Sequence, residues 1–131
     1  MRSFIFTVLA GAIAAKNNTS VLLTPTTTKG TDIAVVWIVG QDQEPSDYEE
    51  LAVVFQIEAQ KNGMKPWISI PEYKYSKAKK ADVSKTVTAA MEELKESGFD
   101  DKLQNWYLVG HSVGGTLTQD FLNTKSKKFD A

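Results

Sequence analysis

Residues Asp32-Ile-Ala-Val-Val-Trp-Ile-Val39 form a run that is apolar after its first residue, rich in β-branched side chains and closed by Gly40. A half-exposed strand alternates apolar and polar residues, and this run does not. Its composition predicts a strand buried on both faces. Such a strand requires cover above and below, and amphipathic helices on either side of a sheet supply it. The chain has 131 residues, enough for one domain at most.

The remaining segments fit that requirement. Ser20-Val-Leu-Leu-Thr24 predicts a short strand before Pro25, and Thr26 to Gly30 a turn or loop. Pro66-Trp-Ile-Ser-Ile70, closed by Pro71, predicts a second buried strand, and residues 105–109 a third. Helical patterns lie between them. Ser46-Asp47-Tyr48-Glu49 after Pro45 reads as a capping box, and Leu51, Val54, Phe55 and Ala59 follow as an apolar stripe. Gly63 stands where a left-handed C-terminal cap is expected. Asp82 is placed to cap a second helix with the stripe Val83, Val87, Ala90, Met91 and Leu94, ended by Gly98. Thr116 to Leu122 predicts a third helix. Strands alternating with helices define an α/β fold, here a three-layer α/β/α arrangement around a mainly parallel sheet. Lys77, Lys79 and Lys80, and Lys125, Lys127 and Lys128, read as solvated polar segments.

Composition narrows the chemistry. A formal charge of −1 and a pI of about 5.8 give no reason to expect nucleic acid or an anionic membrane as partner. The absence of cysteine excludes disulfides, thiolate zinc sites and a cysteine nucleophile. A single histidine, His111, excludes a histidine-rich metal site. Neither a Gly-x-Gly-x-x-Gly nor a Gly-Lys-Ser/Thr loop follows any strand, so no cofactor is expected. Oligomeric state is not legible.

The N-terminus reads as a separate segment. Arg2 precedes an apolar stretch from Phe4 to Ala15 that ends in the small-residue site Ala12-Ile13-Ala14. That layout is expected of a secretory signal peptide over residues 1–15. It is short for a membrane span, which needs about 20 apolar residues. The following Asn17-Asn18-Thr19-Ser20 holds overlapping glycosylation sequons at Asn17 and Asn18, in keeping with a secreted protein.

Residues 105–115 carry the chemistry. Asn-Trp-Tyr-Leu-Val leads into Gly110-His111-Ser112-Val113-Gly114-Gly115, and a helix pattern follows. A serine at the centre of a tight glycine turn between strand and helix is placed as a nucleophile. Gly110 and Gly114 relieve crowding in the turn, and Gly115 lets the helix approach the sheet. The helix start offers free N–H groups, and the N–H of Val113 is placed to donate to a developing oxyanion. A second donor is expected from the loop after the preceding strand, where the backbone N–H of Gln41 is the candidate. His111 points away from its neighbour in so tight a turn, so it is expected to pack or hydrogen-bond near the elbow instead of serving as base. Asp100, Asp101 and Asp120 read as loop and helix-surface groups.

Gly110-His111-Ser112-Val113-Gly114-Gly115 after a strand resembles the nucleophile elbow of the α/β-hydrolase family, in the form common among its lipases and esterases. The resemblance extends over residues 20–124. It implies that the 33–39 strand lies between the other two, and that residues 20–131 form a partial domain lacking its C-terminal strands. It also implies a serine hydrolase of esters that works through an acyl-enzyme at Ser112, with a small-molecule ester or lipid substrate. In that family the acid and the histidine follow the nucleophile, which places them beyond residue 131. A truncated, catalytically inactive hydrolase-like binding domain is the alternative.

Overall fold

The computed structural model describes residues 19–74, 80–103 and 105–125. Among these residues four strands form one sheet: β1 (Val21–Leu23), β2 (Thr31–Ile38), β3 (Met64–Ile70) and β4 (Trp106–Gly110). Among the described residues three α-helices accompany them: α1 (Glu49–Lys61), α2 (Lys80–Ser97) and α3 (Val113–Lys125). The α/β class and the alternation of elements are as expected. The strand order is β1-β3-β2-β4, so β2 lies between β3 and β4 as the family resemblance implied.

The sheet is mixed, which corrects the expectation of a mainly parallel one. β2 pairs in parallel with β3 and β4, while β1 runs antiparallel to β3, Val21 opposite Ile70. The connection explains the reversal. A parallel neighbour requires a crossover of about a dozen residues or more, and only residues 24–30 join β1 to β2. The chain therefore turns back over the start of β3. Gly30 passes so close there that a Cβ would lie 2.6 Å from the carbonyl oxygen of Gly63.

Helices cover both faces of the sheet. Ser69 of β3 donates to Glu93 of α2 at 2.9 Å, and Trp67 packs on Phe99 just after α2. Trp37 projects from the opposite face of β2 and meets Tyr48 at the entrance to α1, with ring centroids 5.9 Å apart. β2 is buried on both faces, as its unbroken apolar run required: Ala34, Val36 and Ile38 on one face are at 0% exposure, and Ile33, Val35 and Trp37 on the other are buried as well. Val83, Val87, Ala90 and Leu94 bury the stripe of α2, with Met91 against the same core.

Helix α1 departs from its expected orientation. Of the stripe Leu51, Val54, Phe55 and Ala59, only Ala59 is buried, and Leu51 and Val54 are each 55% exposed. The buried line is Tyr48, Ala52, Gln56 and Ala59. Two features set this rotation. Tyr48 is anchored under the helix start by its hydroxyl, which accepts from the Gly40 N–H at 2.8 Å. Gln56 reaches inward and donates to the carbonyls of Thr24 at 2.9 Å and Pro66 at 3.4 Å. The entry also differs from the expected Ser46 box. A short 3₁₀ turn, Pro45–Tyr48, leads into α1, and the Glu44 N–H donates to Asp47 Oδ2 at 2.8 Å.

Gly63 and Gly98 close α1 and α2 at φ of 81° and 124°, in the region that favours glycine. Residues 1–15, expected as a signal peptide, the sequon residues Asn17 and Asn18, and Lys77, Lys79, Lys127 and Lys128 lie outside the described residues. The expected cap at Asp82 instead falls within α2, which begins at Lys80. Among the described residues no helix is long and apolar enough to cross a membrane.

Candidate active site

The elbow is built where the carboxyl ends of β2 and β4 meet. Gly110 ends β4 opposite Ile38, and the His111 N–H donates to the Ile38 carbonyl at 3.2 Å. This bond ties the turn to the central strand. Ser112 then takes a φ of 57°, one of two non-glycine residues described with a positive φ. A left-handed backbone at an L-residue costs roughly 1–2 kcal/mol, so the surrounding structure must hold it there. The turn is closed by two bonds of 2.9 Å, from the Gly114 N–H to the His111 carbonyl and from the Gly115 N–H to the Ser112 carbonyl.

Glycine is required at 110. A Cβ there would stand 2.5 Å from the Gly114 carbonyl oxygen and 2.7 Å from the Gly115 nitrogen, both backbone atoms. A Cβ on Gly115 would meet the Gly110 carbonyl at 3.3 Å, a milder contact. Gly114 is buried at the base of the turn, whereas Ser112 and Val113 are exposed. Val113 is the first residue of α3, where backbone N–H groups lack intrahelical partners. With Gly114 and Gly115 engaged within the turn, the Val113 N–H is in none of the described turn or loop bonds.

The loop after β2 lies directly against the elbow. Tyr48 bridges the two: its hydroxyl accepts the Gly40 N–H at 2.8 Å, contacts His111 Nδ1 at 2.9 Å and donates to Gln43 Oε1. The Tyr48 and His111 rings meet at 65°, 5.7 Å between centroids. Gly40 has little room, since a Cβ would lie 3.0 Å from His111 Nδ1 and 3.2 Å from the Tyr48 oxygen. The loop continues through Gln41 to Asp42, which has a φ of 60° and is tolerant of that conformation. The Gln43 N–H returns to the Gly40 carbonyl at 3.2 Å, and the Gln41 N–H is in none of the described turn or loop bonds.

An open cleft of about 360 Å³ lies beside this loop, lined by Asp42, Gln43, Glu44, Glu72, Tyr73 and Lys74. Its lining is mostly polar and acidic, and neither Ser112 nor His111 is among these residues. Hydrogen bonds from Thr19 and from Lys74 hold the Glu72 carboxyl below its ordinary value. Asp101 accepts from Trp106 Nε1 at 2.9 Å, and Asp100 accepts the Lys102 N–H at 3.0 Å, so both serve local structure. Of the aromatic residues on the strands, Trp37 is buried and Trp67, bonded to Asp32 near the start of β2, is partly so, while Tyr107 is 41% exposed on β4. Among the described residues no cluster of His, Asp and Glu is arranged to hold a metal ion.

Tyr48 and Gln43 are the site residues that sequence reasoning missed. The signal available was the spacing of Tyr48, Ala52, Gln56 and Ala59, a second helical phase in which Tyr48 faces inward. No protein-family model matches the chain, and no curated protein sequence matches it.

Proposed function

We propose that this chain carries the nucleophile region of an α/β-hydrolase fold and belongs to a serine hydrolase acting on ester bonds through an acyl-enzyme at Ser112. The observation that carries the reading is the positive φ of Ser112 between strand β4 and helix α3, with backbone at 110 and 114 packed too closely for any side chain at 110. Strained, over-determined backbone of this kind is characteristic of functional turns. The strand order around β2 and helices on both faces are consistent with the N-terminal portion of that fold.

In the proposed reaction the Ser112 hydroxyl oxygen bonds to the ester carbonyl carbon, and the carbonyl oxygen becomes an oxyanion. The N–H groups of Val113 and Gln41 receive that charge. The carbon–oxygen bond to the alcohol then breaks, the alcohol departs with a proton, and water releases the acid from Ser112. The serine proton passes to a base and from it to the departing alkoxide, so it is the proton that leaves with the alcohol, and His111 is not assigned that role. The sequence holds one histidine, and its Nδ1 is engaged by Tyr48. Secretion is proposed on the layout of residues 1–15.

Hydrolysis of a short-chain nitrophenyl ester tests the reading. Any turnover by the wild-type chain is expected to disappear in Ser112→Ala. Turnover that persists in Ser112→Ala overturns it.

One observation favours a second reading, a hydrolase-like domain that binds a ligand without turning it over. His111, the only imidazole, is held within the loop-to-elbow network. On that reading the ester is bound and never cleaved: calorimetry detects binding, Ser112→Ala leaves it intact, and no product forms.

A further inference from the structure

The bridge at Tyr48 fixes more than a distance. A phenol oxygen has one proton to give and two lone pairs to receive with. Three polar groups converge on it. The Gly40 N–H is a donor only, and at 2.8 Å it occupies one lone pair. Gln43 Oε1 is an acceptor only, so it takes the phenol proton. What remains for His111 Nδ1, at 2.9 Å, is the second lone pair, and filling it requires that Nδ1 carry a hydrogen.

We propose that Tyr48 is the positioning residue that locks the Gly40–Gln43 loop to the elbow, and that it thereby fixes His111 as the Nδ1–H tautomer with a bare Nε2. Because the ring holds one N–H when neutral, the hydrogen spent on Tyr48 leaves Nε2 as a lone pair. Nε2 has no partner among the described residues, and His111 is exposed one residue before Ser112. A neutral ring in this state offers a ligand an acceptor. It selects a group bearing O–H or N–H at that position and does not add a third donor to an oxyanion. Tyr48, 63 residues before His111 in sequence, thus adds a side-chain tie between the loop and the elbow to the backbone bond from the His111 N–H to the Ile38 carbonyl.

The tautomer can be read directly. With a single histidine in the sequence, long-range proton–nitrogen NMR of the untagged, ¹⁵N-labelled chain gives one imidazole pattern that needs no assignment. At a pH where the ring is neutral, Nδ1 is expected at the shift of a protonated nitrogen and Nε2 at that of an unprotonated one. The reverse pattern, which arises if the Gln43 amide donates and Tyr48 gives its proton to Nδ1, overturns the proposal. So does the averaged pattern of free imidazole. Tyr48→Phe keeps the ring and removes the oxygen, and is expected to give the averaged pattern; an unchanged pattern overturns the role of Tyr48. Gln43 is exposed, so Gln43→Leu keeps the test open if Tyr48→Phe does not fold. That variant frees the phenol proton for Nδ1 and is expected to reverse the tautomer, and an unchanged pattern again overturns the proposal. These shifts belong to the resting protein. An inert Ser112 with the expected pattern would sink the hydrolase reading and leave this one standing.

Discussion

At the scale of single residues, Ser112 stands at odds with the rest of the chain. Elsewhere the described positive φ values fall on Gly30, Gly63 and Gly98, with Asp42 the other exception. Serine gains nothing structurally from φ 57°, whereas glycine would adopt it freely. Ser112→Gly is therefore expected to raise stability by about 1 kcal/mol, read from urea unfolding, while removing all reaction at this position. A stability loss would show that the Ser112 side chain has a structural role. The tight turn between β4 and α3 was legible in the sequence because its requirements are local: two close backbone approaches and one strained residue within six positions. Tyr48 was not legible as part of the site, because its partners Gly40 and His111 meet it only through the fold.

At the scale of elements, the strands followed from composition. The runs at 33–39 and 66–70 are apolar enough to leave only burial, and both are buried through most of their length. Helix α2 followed from periodicity, since its stripe has one strong phase. Helix α1 has two competing phases, and the larger residues lost. Leu51, Val54 and Phe55 face out because Tyr48 and Gln56 both find hydrogen-bond partners on the inner side, and because Ala52 and Ala59 allow close approach to the sheet. This rotation is directly testable. Ala52 is 0% exposed, so Ala52→Leu is expected to cost about 1–3 kcal/mol by overpacking. Leu51→Ser on the exposed side is expected to change stability by less than about 0.5 kcal/mol. Thermal or chemical unfolding of the two variants reverses in rank if the expected Leu51 phase is the true one. The reversed direction of β1 was not legible from its own residues; it follows from the length of the connection to β2.

At the scale of the whole molecule, the outward side of α1 and the outer part of β4 leave apolar surface in water. Leu51, Val54, Phe55 and Ile57 are exposed along α1, as is Tyr107 on β4. β4 pairs with β2 on one side, and its other side carries no strand among the described residues. Exposed apolar patches and open strand edges both promote association. The chain is expected to self-associate at tens of micromolar in sedimentation velocity, and Phe55→Lys is expected to shift it toward the monomer without loss of fold. A monomer with unchanged sedimentation at high concentration would contradict this.

The proposed function stands or falls with Ser112 as a nucleophile. Treating the folded chain with a fluorophosphonate probe and locating the adduct by peptide mass spectrometry tests this most directly. The adduct is predicted on Ser112 alone, and absent from Ser112→Ala. A folded chain that carries no adduct at Ser112, or carries it equally on other serines, would contradict the claim.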